Sequence, residues 1–427
     1  MSILLYSVFL WLYTTGIRLV AAWNPKARLW LQGRKNIFKN IIDSGVSGES
    51  MTVWMHCASL GEFEQGRPVI EKIRSVYPKA SIVLTFFSPS GYEIKKDYQG
   101  ADYIFYLPAD SRKNARRFIE LVHPSLVLWM KYEYWFYYLD ELNKRNIPAL
   151  LISAVFRPDQ AFFRWYGRFH RYMLACFRYI FVQTAESKDL LKNIGFSSNV
   201  QVSGDTRFDR VIEIAEQFEA IPAVEAFVGS KQVVVAGSTW EEDEEQLDHY
   251  ANTHPEICFI IAPHEVDEEH LKEIESLFRG SIRFSRWQQQ PPDVPKTGGR
   301  QTATPHVLIV DNIGMLSRLY HYASIAYIGG GFGDDGVHNV LEAAVYGKPV
   351  IMGPVIDKYV EALELVDTGG GIVIDSALEA EAVFDRLFGN PEEYRLSGEA
   401  SRNYVYAKKG ATEQVMNWIQ EKRLLTS

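Results

Sequence analysis

Two glutamates are placed to do acid–base chemistry, each just beyond a short apolar run. Glu62 closes the stretch His56-Cys57-Ala58-Ser59-Leu60-Gly61-Glu62, which follows Val53–Cys57. Glu133 lies in Lys131-Tyr132-Glu133-Tyr134-Trp135, which follows Leu126–Met130. Small residues such as Ser59 and Gly61 at a strand's end permit a tight turn and close approach of a ligand to the backbone. A carboxylate there can take the proton from a sugar hydroxyl. It serves equally to cap a helix start, and local sequence favours capping at Glu62 and an acidic first turn at Glu133. As a pair on neighbouring loops, the two fit an acid/base or substrate-orienting couple.

Anion-binding groups come next. Arg207, in Gly204-Asp205-Thr206-Arg207-Phe208-Asp209, carries the planar fork that suits a phosphate or carboxylate, with an ion pair to Asp209 or another acid as the alternative. Ala236-Gly237-Ser238-Thr239-Trp240 offers amides and hydroxyls, and the acidic run Glu241–Glu245 behind it reads as a dipole complement and solvated surface. Ala262-Pro263-His264-Glu265 puts His264 at the end of another apolar run. The longest constellation runs from Gly329 through Gly330, Gly331, Gly333, Asp334, Asp335, Gly336, Val337, His338 and Asn339 to Glu342. It predicts a strand entering a glycine-rich loop and then a helix starting near His338 or Asn339, a setting that favours phosphate. Glu342, one turn on, is suited to ribose hydroxyls. Gly331–Gly336 also matches GxGxxG, with Asp357 about 20 residues on. A dinucleotide site is set aside because consecutive aspartates repel a pyrophosphate and the loop does not open a domain.

These residues need a scaffold, and the apolar runs supply one. Val53–Cys57, Ile82–Phe87, Tyr103–Leu107, Leu126–Met130, Ala149–Ser153, Ile180–Gln183 and Val200–Ser203 alternate with amphipathic stretches such as Phe63–Val76, Ser111–Val122 and Ala185–Asn193. A second series follows: Val233–Ala236, Cys258–Ala262, Ile282–Phe284, Val307–Val310, Ile325–Ile328, Val350–Met352 and Ile372–Ile374. Such alternation predicts parallel sheets covered by helices, here two α/β halves joined near residues 205–230. Ligands then gather outside the carboxyl ends of the strands, and the expected site is the cleft between the halves. Gln288–Thr304 reads as a surface loop, and Thr412–Leu425 as a helix with Val415, Trp418 and Ile419 on one face.

Composition narrows the partners. A formal charge of −8 argues against a general nucleic-acid binder. Cys57, Cys176 and Cys258 lie far apart without metal-ligand spacing, so neither a disulfide framework nor a metal site is expected. Ser2–Trp23 is apolar apart from Arg18, and long enough for a membrane helix. Lys26, Arg28, Arg34, Lys35 and Lys39 follow where anionic headgroups would lie, and keep that flank cytoplasmic by the positive-inside rule. A helix lying in the interface, or one buried in the body, is the alternative. Between Arg157 and Tyr179, Arg164, Arg168 and Arg171 interleave with aromatics, a pattern open to lipid phosphates or to simple core packing.

In order along the chain, the Ser-x-Gly-Glu turn, Glu-x-Trp, Arg-Phe-Asp, Gly-Ser-Thr, His-Asn-x-Leu-Glu and Pro349-Val350-Ile351-Met352-Gly353-Pro354 resemble the bacterial 3-deoxy-D-manno-octulosonic acid (Kdo) transferases over essentially the whole chain. The resemblance implies a GT-B fold of two Rossmann-like domains and an inverting transfer of Kdo from CMP-Kdo to a lipid A precursor, without metal or cofactor. It implies an anchor helix at 1–23, an acceptor domain at 24–208, a donor domain at 209–411 and a closing helix at 412–427. Glu62 matches the general base, and Glu133 a second active-site glutamate. Arg207, Ser238, Thr239, His264, Gly336, Val337, His338, Asn339 and Glu342 fall on the donor side. Ser59, Gly61, Arg164, Arg168 and Arg171 fall on the acceptor side. The setting implied is the cytoplasmic face of the inner membrane, against its phospholipid. Departures exist: an arginine common before the histidine is replaced in Ala262-Pro263-His264, Val337 replaces a glycine and Trp240 a histidine. A GT-B transferase using a UDP-sugar, a sugar-nucleotide epimerase and a membrane-tethered binding module are the rival readings.

Overall fold

The computed structural model describes residues 3–46, 51–289, 305–334 and 336–425. The chain divides into two compact units, one formed by Met1–Arg210 with Gly410–Ser427 and the other by Val211–Lys409.

In the first unit seven strands form one parallel sheet: β1 (Thr52–Cys57), β2 (Ser81–Phe86), β3 (Tyr103–Tyr106), β4 (Leu126–Met130), β5 (Ala149–Ala154), β6 (Tyr179–Val182) and β7 (Val200–Val202). Their order is β3-β2-β1-β4-β5-β6-β7. β1, β4 and β5 are buried along their whole length, so both faces call for apolar side chains and the strands read as hydrophobic runs interrupted only by Thr52, His56 and Ser153. Successive residues still divide between the faces. Trp54, Val127 and Trp129 join one core with Phe118 and Tyr138, while Val53, Met55, Leu126 and Leu128 join the other with Phe63 and Phe86. The closing helix Ala411–Glu421 lays Val415, Met416, Trp418 and Ile419 on the second core. Its start is held by Asp209, which accepts from the Gly410 and Thr412 amides at 2.6 Å each.

Four helices of this unit matter below. α1 (Ile3–Val20) is apolar and long enough to cross a membrane by length and composition. α2 (Pro25–Arg34) starts with Asn24, whose side chain accepts from the Ala27 amide, and with proline in the first turn, where the missing N–H costs nothing. α3 (Ile37–Asp43) and α4 (Leu60–Val76) follow.

The second unit repeats the plan with β8 (Val233–Thr239), β9 (Cys258–Pro263), β10 (Ser281–Arg283), β11 (Val307–Ile309), β12 (Ile325–Ile328), β13 (Val350–Met352) and β14 (Gly371–Val373), ordered β10-β11-β9-β8-β12-β13-β14. β8 runs on to Thr239 instead of stopping at Ala236, through a register shift between Gly237 and Thr239 that puts Ser238 at φ 55°. Of the expected loop Gln288–Thr304, residues 290–304 lie outside the described residues, while Gln288 and Gln289 end the helix Phe284–Gln289.

In each sheet the chain reverses direction of travel once, between β1 and β4 in the first and between β8 and β12 in the second. Adjacent connections there leave on opposite faces and open a crevice at the carboxyl ends, where open α/β sheets bind ligands. Glu62 follows β1 and Glu133 follows β4, whereas Gly-Ser-Thr ends β8 and the glycine-rich loop follows β12.

Candidate active site

Glu62 occupies the first turn of α4, after the N-cap Ser59. Its Oε2 reaches back to the Ala58 amide at 2.5 Å, so the carboxylate does cap the helix. It is also buried, and that burial lifts its pKa from 4.5 to about 7. The Ala58 and Tyr132 amides and the Lys131 charge oppose the rise, while the Glu133 charge adds to it. Capping and proton acceptance are thus compatible, since one oxygen anchors the carboxylate and its acidity is set for exchange near neutrality. A side chain added at Gly61 would meet nothing within 4 Å, leaving the turn open to a ligand.

Glu133 is the more exposed acid, with a quarter of its side chain accessible. Its Oε2 accepts from Trp135 Nε1 at 2.9 Å and contacts His56 Nε2 at 3.4 Å. The backbone helps to fix it, because Trp129 Nε1 donates to the Glu133 carbonyl at 2.6 Å. His56 is wholly buried, with Nδ1 3.0 Å from the Thr85 hydroxyl, whose oxygen accepts from Trp54 Nε1 at 2.8 Å. The Thr85 hydroxyl has the Met55 carbonyl, at 3.4 Å, as a second acceptor, and the imidazole bridges Thr85 and Glu133. Lys131, between strand and turn, takes φ 43°, a costly geometry for a side-chain residue of the kind that gathers at functional sites.

Arg207 is held in the same unit. Asp205 accepts from its backbone amide at 2.9 Å and from its Nε at 3.0 Å. Gln65 and Gln183 also donate to Asp205. Burial alone would raise the pKa of Asp205, yet the charges of Arg207 and Lys131 hold it below the usual carboxylate value. The ion-pair partner of Arg207 is therefore Asp205, since Asp209 is committed to the closing helix. The charges of Arg157, Asp205, Arg207 and Glu62 all bear on Tyr132, so these groups surround one loop.

In the second unit three rings stack: Trp240 on His264 at 4.7 Å and His264 on His338 at 4.4 Å between centroids. Trp240 Nε1 also donates to His338 Nε2 at 3.1 Å, which requires His338 to be the neutral Nδ1–H tautomer. Ser238 is half-buried, but Thr239 is fully buried and donates to Glu244 Oε1 at 2.8 Å. Glu244 in turn meets His270 Nε2 at 3.0 Å. Asp243, fully buried, accepts from Gly330 N at 2.7 Å, Trp240 N at 3.0 Å and Tyr327 OH at 2.7 Å, and so fastens the Gly-Ser-Thr turn to the glycine-rich loop. The expectation that Glu241–Glu245 is solvated surface fails for Asp243 and Glu244.

The expected helix near His338 or Asn339 also differs. It spans only Leu341–Ala344, because the Asn339 side chain accepts from the Leu341 amide and donates to Glu342 Oε1 at 3.0 Å. The Val337 and His338 amides are engaged too, by the carbonyls of Val355 and Gly329. A phosphate here therefore cannot use those two amides as they stand. Gly331 explains the downstream Gly353, since a Cβ on Gly331 would lie 2.6 Å from Gly353 N. Gly336 takes φ 84°, where a side chain would be strained. Asp335 lies outside the described residues.

The three arginines separate. Arg168 lines an open pocket of about 540 Å³ with Phe136, Phe169, Tyr172 and Ile3. Arg171 instead donates to the Phe162 and Arg164 carbonyls, and Arg164 to that of Asp159. Phe162 and Phe169 pack inward, but Trp165 is 91% exposed. The stretch is thus partly core and partly a free aromatic surface. Motif reading passed over His56, Trp135, Asp205 and Asp243 as site members. The signal for the first two was their place beside Cys57 and in Glu-x-Trp, whereas Asp243 gave none that set it apart from its acidic neighbours.

A family described as 3-Deoxy-D-manno-octulosonic-acid transferase (kdotransferase) matches residues 26–210. The 3-deoxy-D-manno-octulosonic acid transferase of Haemophilus influenzae is 23% identical over 417 residues, covering 95% of this chain and 94% of the relative. Among solved structures, the UDP-GlcNAc 2-epimerase of Neisseria meningitidis bound to UDP-GlcNAc aligns with a TM-score of 0.59 at 19% identity, covering 87% of this chain and 100% of its own. A glycosyltransferase from Rickettsia africae aligns at 0.55 and 13% identity, covering 89% of this chain and 100% of its own. At such identities the structures speak to fold, and the fold is GT-B, two parallel-sheet α/β domains. Beside it, the sequence matches are to 3-deoxy-D-manno-octulosonic acid transferases, over residues 26–210 for the family and over most of the chain for the relative, and they support a glycosyltransferase of that kind.

Proposed function

We propose that the protein transfers Kdo from CMP-Kdo to a lipid A precursor such as lipid IVA, with inversion at the anomeric carbon and without a metal. The observation that carries this reading is Glu62, a buried carboxyl at the carboxyl end of β1, at the point where the sheet reverses, with its pKa lifted to about 7. A base of that acidity accepts a proton from an acceptor hydroxyl near neutral pH. The hydroxyl oxygen bonds to the anomeric carbon of Kdo as the bond from that carbon to the phosphate oxygen breaks. The leaving electrons reside on CMP, and the proton on Glu62.

Roles for the other groups follow from their chemistry. Glu133, held by Trp135 Nε1 and in contact with His56 Nε2, orients the acceptor. Arg207, braced by Asp205, supplies a positive charge of the kind the donor's carboxylate or phosphate calls for. On the donor side, the exposed edge of His264, Ser238 and Asn339 meet the phosphate, and Glu342 the ribose. Gly336 and Val337 shape the loop wall. Ser59 and Gly61 leave room for the acceptor sugar, and Arg168 faces its phosphates.

Membrane attachment through α1 belongs to the same reading, at the cytoplasmic face of the inner membrane and against its phospholipid. α1 is docked along the body: Tyr6 donates to Asp110 at 2.6 Å, Ser7 bonds Tyr137 at 2.6 Å, and Tyr13 packs on Trp30 and Phe87. Leu4, Leu5, Phe9 and Leu12 face outward. A helix held so along its length lies in the interface better than across the bilayer.

The test is product mass after incubating the full chain, in detergent, with freshly generated CMP-Kdo and lipid IVA, and separately with UDP-sugars. Addition of Kdo supports the reading. Transfer only from a UDP-sugar, or epimerisation of the sugar nucleotide alone, overturns it.

A further inference from the structure

Beside α1, α2 and α3 lies an open pocket of about 720 Å³. Arg18 of α1, Lys35 between α2 and α3, Lys39 of α3 and Arg117 of the helix Arg112–Val122 line it, and no carboxylate does. None of these four has a carboxylate partner among the described residues. Arg117 instead lies over the Phe38 ring at 4.6 Å. A fifth cation, Arg34, forms part of the wall but turns inward, donating to the carbonyls of Leu107, Phe87 and Trp30. Neutral carbonyls satisfy its hydrogen bonds, and the Glu133 charge acts on it without forming an ion pair with it.

We infer that this pocket holds the phosphate headgroup of an anionic membrane phospholipid. Charge complementarity carries the choice of an anion, because unpaired cations sit together in a chain whose overall charge is negative. Continuity with α1 carries the choice of a lipid. The same helix that contributes Thr14 and Arg18 to the pocket exposes Phe9, Trp11, Leu12 and Leu19. A diacyl phospholipid places its headgroup among the cations while its chains run along that apolar face, and a free phosphate would use only one part of so large a space. The inference rests on the reading of α1 as a membrane-surface helix, and adds to it a headgroup preference and an address.

Flotation of the full chain with vesicles tests both separately. Phosphatidylcholine vesicles report attachment through α1 alone, and vesicles of phosphatidylcholine mixed with phosphatidylglycerol report the pocket. Each cation near an anionic surface is worth on the order of a five-fold change in partition, so Lys39→Gln with Arg117→Gln is expected to weaken binding to the mixed vesicles about 25-fold. Binding to phosphatidylcholine alone is expected to stay unchanged. Lys26→Gln with Lys113→Gln removes two exposed cations that do not line the pocket, and is expected to lose much less. Equal losses from both pairs would mean diffuse surface charge and overturn the pocket, as would undiminished binding of the Lys39/Arg117 variant. If even the unaltered chain ignores phosphatidylcholine vesicles, the membrane reading of α1 falls, and this inference with it. Thermal unfolding of each variant checks that the exposed substitutions leave the fold intact.

Discussion

Replacing Glu62 by glutamine should make the protein more stable at alkaline pH while abolishing its proposed chemistry. Burial lifts the Glu62 pKa from 4.5 to about 7, so the folded chain holds this proton more tightly than the unfolded chain does. Between those two values the native state binds the extra proton, and stability falls as pH rises. Above about pH 7 the full penalty of a buried charge is present; below about pH 4.5 it is gone. At about 1.4 kcal/mol per pH unit, the penalty is about 3–3.5 kcal/mol. Glutamine removes the charge but offers one acceptor oxygen, where the carboxylate meets the Ala58 and Tyr132 amides, which returns about 1 kcal/mol. A net gain of about 2 kcal/mol at pH 8 follows, or roughly 4–8 °C in the melting of a unit of roughly 200 residues. Calorimetry of the detergent-solubilised variant and parent at pH 8 and pH 5 is the assay. The difference should be large at pH 8 and vanish or change sign at pH 5. A pH-independent difference, or a parent more stable at pH 8, would refute the reasoning that burial controls this carboxyl.

Three further substitutions probe the supports of the site. Asp243→Ala strips three buried donors, Gly330 N, Trp240 N and Tyr327 OH, of their acceptor, and should cost about 3 kcal/mol or more, read as earlier melting and weaker CMP binding. Gly353→Ala drives a methyl to 2.5 Å from the Gly331 carbonyl carbon, and should cost about 1–3 kcal/mol and loosen the glycine-rich loop, seen as faster amide exchange at Gly331–Gly333. Tyr6→Phe removes the hydroxyl that donates to Asp110 and accepts from the Phe136 amide. Its expected cost is about 1–3 kcal/mol, measured as greater protease access to α1 with the sheet unaffected.

The strands were readable from sequence because parallel strands covered on both faces are mostly apolar, as β4 is throughout and β1 and β5 are apart from Thr52, His56 and Ser153. The rim residues were readable for a related reason, since glycines and short polar residues interrupt those runs where a backbone must turn. What escaped depends on contacts that no spacing records. Five consecutive acids at Glu241–Glu245 look alike in sequence, yet the turn of the helix Glu241–Thr253 points Asp243 and Glu244 inward and leaves Glu241 and Glu242 outside. The helix after the glycine-rich loop starts late because Asn339 bonds forward, and its amide geometry cannot be inferred from composition. Arg34 belongs to an obviously basic stretch, but three main-chain carbonyls distant in sequence or within its own turn draw it inward.

The most direct measurement is the rate of Kdo transfer from CMP-Kdo to lipid IVA by the parent and by Glu62→Ala, each shown folded and able to bind CMP. A general base contributes typically about 10²–10⁴-fold, so transfer should drop by that factor, and the parent's kcat/KM should fall about tenfold per pH unit below pH 7. Transfer by the folded Glu62→Ala variant near the parent's rate, with the same pH profile, would contradict the assignment of Glu62 as the base.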